Sequence, residues 1–382
     1  MPMPERLIGP AGSTGRPAEA CCQSQPASQL LPSTMIITQL PGMEFGAEVY
    51  GVDLAAATNA DLLAIREAWD EHHLLLFRGQ QQLAPRDEVQ IARLFPFDER
   101  LSPEKLAPWV PPDNEVESNV SLWKFSGAVP GAPEIEIKGI GDLAGHHGLY
   151  GTLSESNPAA EWHTDGTDRP ETSGPPVCTQ MYCPVDPPEV GGETMFASAH
   201  KAWDLLPPTL QCQARQLRMR MTEERLEMLP SGRRAKPTAT RPREGYDVTH
   251  PLCRLHPLTG RPALCVAPLY TFSLFETDAS GLREVRELSP EASHEMIDKL
   301  LAPGLSPECV FTVRWRKGDL VVWDNRAMLH SPTASSRVVG RRLIHRVRMN
   351  SGTSYQRTRP GVVPKLLPPG DWERDRGGGA RL

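Results

Sequence analysis

A mainly β fold with a few flanking helices is what this chain of 382 residues predicts. Prolines number 39, which favours strands and loops over long helices. Short apolar segments such as His73-Leu-Leu-Leu-Phe77 mix with only a few helical stretches. At 39% hydrophobic residues the chain buries a sizeable core, as one domain or two unequal ones.

Residues 1–34 are rich in Pro, Ala, Gly, Ser and Gln without an apolar period, and read as a disordered extension. They lack the apolar centre of a secretory signal, and Glu5 and Glu19 fit poorly with an acid-poor transit peptide. From Met35 onward one domain, 35–382, is expected. Ala60 to Glu71 reads as an amphipathic helix, and His73-Leu-Leu-Leu-Phe77 as a buried strand. Arg86 to Leu94 is a second short helix, and residues 96–133 are irregular. The alternation of Glu134-Ile-Glu-Ile-Lys138 predicts a half-exposed strand. Ala202 to Leu206 and Leu210 to Met228 read as helices opening a segment, about 199–250, that is either a solvated insertion or a lid. Strands resume at Ala263–Val266, Cys309–Trp315, Asp319–Trp323 and Arg342–Met349, before an irregular tail from about 351.

A formal net charge of −6 without a long basic run gives no electrostatic footing for nucleic acid or an acidic membrane surface. No apolar run reaches the roughly 18 residues a membrane span needs. Eight scattered cysteines without a C-x-x-C pair fit a reducing compartment, so a cytoplasmic location is expected, with organelle targeting the alternative.

Chemistry concentrates in two places. In Glu161-Trp-His-Thr-Asp165, residues two apart on an extended strand face the same side, so His163 and Asp165 project together. Alone, such a triplet is weak. Gly318 to His330 then reads as a turn, an apolar strand and a polar bend that delivers a second histidine 167 positions later. Two histidines and a carboxylate occupy one face of an octahedron, the set suited to non-haem iron(II) and O2.

The second place is Arg341-Arg-Leu-Ile-His-Arg-Val-Arg-Met349, where alternation puts Arg342, Ile344, Arg346 and Arg348 on one face. Such a row is either an exposed basic edge or an anion site. Iron(II) with one carboxylate ligand and bound 2-oxoglutarate would leave one negative charge, which Arg342 would balance with a bidentate grip. Arg346 on the same face is then free for a substrate anion. His256-Pro-Leu-Thr-Gly-Arg261 reads as a hairpin turn rather than as zinc ligands with His250, Cys253 and Cys265.

Together with Gly46 to Asp53, Gly191-Gly-Glu-Thr194 and Trp323-Asp-Asn-Arg326, these segments resemble the taurine dioxygenase/TfdA-like family of Fe(II)/2-oxoglutarate-dependent oxygenases from about Met35 to Met349. The resemblance implies a double-stranded β-helix (jelly-roll) core with iron held by His163, Asp165 and His330. It implies further that Thr194 and Arg342 hold the distal carboxylate of 2-oxoglutarate, and that Arg346 grips an anionic substrate group. The implied activity is oxidation, most often hydroxylation, of a small sulfonate, sulfate ester or carboxylate, with release of succinate and CO2. His147 and Tyr150, in a Gly-bounded loop, are candidate substrate contacts. Ala159 stands where taurine-type members carry an amide, and Gly166 and Asp168 replace apolar residues, so taurine itself is not the expected substrate. Two competing readings are a zinc hydrolase using the same ligands and a jelly-roll binding protein without turnover. Whether the chain self-associates is left open.

Overall fold

The computed structural model describes residues 35–95, 126–129, 132–140, 162–167, 176–222, 248–278, 281, 283–333 and 342–350. The expected extension 1–34, the tail from 351, and His147, Tyr150, Ala159 and Asp168 lie outside them.

In chain order the strands are β1 (Ile36–Gln39), β2 (Ala47–Tyr50), β3 (Leu74–Phe77), β4 (Ser126–Val129), β5 (Ala132–Ile140), β6 (Pro176–Tyr182), β7 (Thr194–Ser198) and β8 (Leu217–Met221). They continue with β9 (Thr249–Pro251), β10 (Cys253–Leu255), β11 (Pro262–Leu264), β12 (Thr271–Thr277), β13 (Glu284–Glu287), β14 (Val310–Val313), β15 (Leu320–Asp324), β16 (Met328–Pro332) and β17 (Arg342–Asn350). Helices are α1 (Asn59–His72), α2 (Pro85–Ala92), α3 (Ala199–Asp204), α4 (Pro208–Arg215) and α5 (Pro290–Leu301).

The largest sheet runs β1-β2-β3-β15-β6-β17-β5-β4, and a smaller one runs β14-β7-β16. The period of two divides each strand between two apolar clusters. Leu74, Leu76, Val321, Trp323, Met181 and Ile344 of the large sheet meet Phe196, Val313 and Met328 of the small sheet in one inner cluster. Leu75, Phe77, Leu320, Val322, Val347 and Met349 face the other way, onto Leu62, Ile65 and Trp69 of α1 and Val89 and Ile91 of α2. The outer side of the small sheet, through Ala197 and Leu329, packs with Ala202 and Trp203 of α3 and Ile297 of α5. Strands β3, β15 and β6 are therefore covered on both sides, which explains their continuous apolar runs. This two-sheet arrangement is the jelly-roll architecture, with the sheets not closed on one another.

Helix α1 starts as its sequence dictates. Thr58 and Asp61 form a capping box, with Asp61 N donating to Thr58 Oγ1 at 3.2 Å and Thr58 N donating to Asp61 Oδ2 at 2.9 Å. It stops at His73, whose φ of 60° is left-handed.

Three expectations differ from the structure. The helix expected over Leu210–Met228 ends at Arg215, and Leu217–Met221 forms β8. Leu217, Met219 and Met221 are buried while Arg218 and Arg220 are half-buried, so a period of two was read as a helical one. The described start of the 199–250 segment is core structure, because Ala202, Trp203 and Met219 are buried; residues 223–247 lie outside the description. Glu136 in the strand expected to be half-exposed is only 5% exposed, for a reason that lies in the site. No helix among the described residues is long and apolar enough to cross a membrane.

Candidate active site

His163 and His330 are joined through their backbones: each N–H donates to the other's carbonyl at 3.0 Å, an isolated antiparallel bridge between sequence-distant residues. That bridge fixes the two imidazoles side by side, with ring centroids 4.2 Å apart. The extended run expected through Asp165 stops short, since a turn begins at Asp165 and Gly166 has a φ of 77°. Asp165 still faces the histidines. Its Oδ1 lies 3.7 Å from His163 Nε2 and 3.8 Å from His330 Nε2. Trp162 points oppositely, into the outer cluster, as expected.

Electrostatics suit a cation here. Burial works to raise the Asp165 carboxyl, but His330, Arg346 and His163 outweigh it and hold the group well below the usual carboxylate range. Burial pushes the His330 imidazole down to about 3, so its lone pair is available at neutral pH. Oδ1 is the oxygen turned toward both imidazoles, while Oδ2 is occupied. Thr179 Oγ1 donates to it at 2.6 Å, Asn325 Nδ2 donates to Thr179 Oγ1 at 2.9 Å, and Trp323 Nε1 donates to Asn325 Oδ1 at 2.8 Å. This chain of three donors orients the carboxylate, and sequence reading missed it. The Trp323-Asp-Asn signature held the clue, because alternation puts Trp323 and Asn325 on one side and Asp324 on the other. Among the described residues His330 Nδ1 has no hydrogen-bond partner.

The small sheet places Thr194 beside Pro332 and Phe196 beside His330, so Thr194 sits two residues, roughly 7 Å, along from the position facing His330. From the opposite sheet Arg342, 9% exposed, reaches it, with Nη2 donating to Thr194 Oγ1 at 3.4 Å. Trp315 Nε1 donates to the same oxygen at 3.1 Å, a third polar group the sequence did not single out. Gly192, at φ +80°, lies so close that a Cβ there would come within 2.9 Å of Arg342 Cδ.

Strand β17 is not an edge. It lies between β6 and β5, and Arg342, Ile344, Arg346 and Arg348 share one face as alternation predicted, which the structure turns inward. The reading of an exposed basic strand is thereby overturned. Arg346, expected to stand free for a substrate anion, instead meets Glu136 at 2.5 Å, and its Nη1 lies 3.9 Å from Asp165 Oδ1. Arg348 binds Glu136 through Nε at 3.0 Å and through Nη2, and Lys138 Nζ lies 3.0 Å from the same carboxylate. Glu136 is buried because three cations meet it. Burial works to raise its carboxyl, but Arg346, Arg348 and Lys138 hold it far below the usual range.

The family model for the taurine catabolism dioxygenase TauD, TfdA family matches residues 36–348. The chain belongs to that family. It is an Fe(II)- and 2-oxoglutarate-dependent dioxygenase with O2 as co-substrate. A pentalenolactone F synthase of Streptomyces avermitilis is 27% identical, covering 82% of this chain and 93% of that one. An alpha-ketoglutarate-dependent xanthine dioxygenase of Neurospora crassa is 24% identical, covering 76% and 79%. The solved structure of an alpha-ketoglutarate-dependent taurine dioxygenase homologue from Burkholderia xenovorans superimposes with a TM-score of 0.56 at 22% identity, covering 83% and 90%, and shows the shared fold. The donor set fits the family's metal: His163, Asp165 and His330 offer ligand atoms within 4.8 Å of one another.

Proposed function

We propose that His163, Asp165 and His330 hold the iron(II), that Arg342 and Thr194 hold the distal carboxylate of 2-oxoglutarate, and that the dioxygenase oxidises, most often by hydroxylation, a small anionic substrate. Iron(II) with 2-oxoglutarate supplies O2 activation, releasing CO2 and succinate. Asp165 balances part of the metal charge, and Thr179 keeps its other oxygen turned away. Arg342 sets the depth at which the co-substrate carboxylate stops, and Gly192 leaves room for the guanidinium.

The anionic substrate class rests on one observation: Glu136 supplies a single negative charge to Arg346, Arg348 and Lys138. That cation-rich cluster stands beside the proposed metal ligands, Arg346 Nη1 lying 3.9 Å from Asp165 Oδ1. A carboxylate, sulfonate or sulfate ester lying against Arg346 and Arg348 completes it. His147 and Tyr150 remain candidate contacts for the rest of the substrate. A cytoplasmic location goes with the absence of disulfides among the described cysteines.

Anaerobic addition of iron(II) and 2-oxoglutarate, followed by visible absorption, tests the metal and co-substrate assignment. Oxygen-dependent succinate release over a panel of sulfonates, sulfate esters, carboxylates and neutral analogues tests the substrate class. A chelate band that His330→Ala abolishes, and succinate yields highest for acids, are expected. A neutral purine outperforming every acid would reject the anionic reading while leaving the metal assignment intact.

A further inference from the structure

Asp324 turns away from Trp323 and Asn325, into a buried group of imidazoles that the oxygenase chemistry does not use. His73, His200 and His256 are 9%, 1% and 1% exposed, and Asp324 is fully buried. The ring centroids lie 5.5 Å apart for His73 and His200, 5.1 Å for His73 and His256, and 5.6 Å for His200 and His256. Imidazoles bound to one ion at about 2.0–2.1 Å with tetrahedral angles have centroids about 5.2 Å apart, against about 4.5 Å for neighbours on an octahedron. His163 and His330, at 4.2 Å, follow the octahedral spacing. The buried group follows the tetrahedral one. His73, His256 and Asp324 present ligand atoms within 4.8 Å of one another; His200 is outside that set and adjoins it through its ring contacts with His73 and His256.

Two nitrogens in this group lack partners among the described residues: His73 Nδ1 and His200 Nε2. His200 Nδ1 lies 2.7 Å from the Pro262 carbonyl, so it carries the proton and Nε2 keeps its lone pair. A metal-ligating histidine is oriented in this way, with its remote N–H on a carbonyl. His73 is the one non-glycine residue with positive φ among the described residues, a conformation that side chains disfavour. A buried imidazole with an idle nitrogen, at a position glycine would fill without strain, calls for a ligand. Asp324 is braced by Arg326, which donates to Oδ1 through N and Nε, each at 2.8 Å, and to Oδ2 through Nη2.

We propose that His73, His200, His256 and Asp324 form a second, closed site for a zinc-class divalent ion, separate from the iron site. Arg326 already offsets the Asp324 charge, so imidazole lone pairs supply most of the binding, which selects zinc-like ions over magnesium or calcium. His256 Nε2 now lies 3.0 Å from Asp324 Oδ2 and carries the proton between them. Ligation moves that proton to Nδ1, at the expense of the 3.4 Å contact from Thr259 N, and displaces Arg326 Nη2 from Oδ2 while Arg326 keeps its two bonds to Oδ1. The ion would tie the end of α1, helix α3, the β10–β11 turn and β15 together, a structural task without turnover.

The test uses the untagged full chain with Asp165→Ala and His330→Ala, which removes two proposed iron ligands. This protein is loaded with zinc chloride, desalted, analysed for metal and melted with and without a chelator. One retained zinc per chain and a melting temperature raised by about 5 °C are expected. Adding His73→Gly should abolish both. Glycine suits the left-handed backbone but empties the space of a buried imidazole, so binding is separated from folding by the melting-temperature difference with and without chelator within the same variant. If the His73→Gly chain nevertheless fails to fold, His200→Gln replaces it in the same assay. No retained zinc in the iron-site variant, or zinc retained equally after the added substitution, overturns the proposal.

Discussion

Glu136 lies directly opposite Arg346 on the β5–β17 ladder, and its carboxylate takes that guanidinium at 2.5 Å. The arginine nearest the metal-site aspartate is thus already held by a carboxylate of the protein. Glu136→Gln keeps the shape and removes the charge. Breaking a buried pair of this kind costs about 3 kcal/mol, measurable by denaturant unfolding. The held-down Glu136 carboxyl contributes stability that is complete above its ordinary value of 4.5 and is lost as pH falls toward the depressed folded value, so the variant's acid limb should be flatter. With one negative charge gone, KM for an anionic substrate should fall severalfold. An unchanged KM would mean that these arginines serve only the fold.

Thr179→Val tests the donor chain on Asp165. Valine matches the shape but leaves Oδ2 without its 2.6 Å hydrogen bond. Such losses around a metal ligand typically cost 10- to 100-fold in metal affinity or activity. The iron concentration giving half-maximal turnover should rise by about that factor, with KM for the substrate little changed. An equal rise in substrate KM would place Thr179 in the substrate pocket.

Arg342→Ala should raise the 2-oxoglutarate requirement roughly 10- to 150-fold, corresponding to the loss of a charged hydrogen bond of about 1.5–3 kcal/mol. Gly192→Ala provides a second handle on the same group. Its φ of +80° strains any side chain, and the added Cβ presses on Arg342 Cδ. It should raise the 2-oxoglutarate KM as well, while Arg342→Ala and the double variant behave alike, since the glycine acts through the arginine. Both are read by succinate production against co-substrate concentration.

The legible parts of this protein were those where one period or one residue type carries the signal. His163, Asp165 and His330 stand out by ligand chemistry, and the alternation of β17 puts Arg342, Arg346 and Arg348 on a common face, as the structure has them. What sequence spacing does not contain is cross-strand register. Glu136 read as a half-exposed strand residue because its partners lie about 210 positions away. Thr179, Asn325 and Trp315 are ordinary residues until the sheets bring them to a carboxylate or a hydroxyl. The helix expected through Met228 failed for a different reason: Leu217, Met219 and Met221 alternate with Arg218 and Arg220, a strand period that pairing with β12 and β9 uses.

Lys138 should make the proposed anion seat pH-sensitive. The charge of Arg346, and then burial, push its ammonium down to about 8 from 10.5, against the opposing pull of Glu136. A lysine so lowered loses its charge as pH rises through 8, where an unperturbed one would keep it. The cluster around Glu136 then drops from three cations to two. KM for an anionic substrate should therefore rise between pH 7 and 9.5 at saturating 2-oxoglutarate, while a neutral analogue should show no such trend. Lys138→Arg holds the charge throughout this range and should flatten the profile. A wild-type profile already flat for acids would show that Lys138 lies too far from the bound anion to matter.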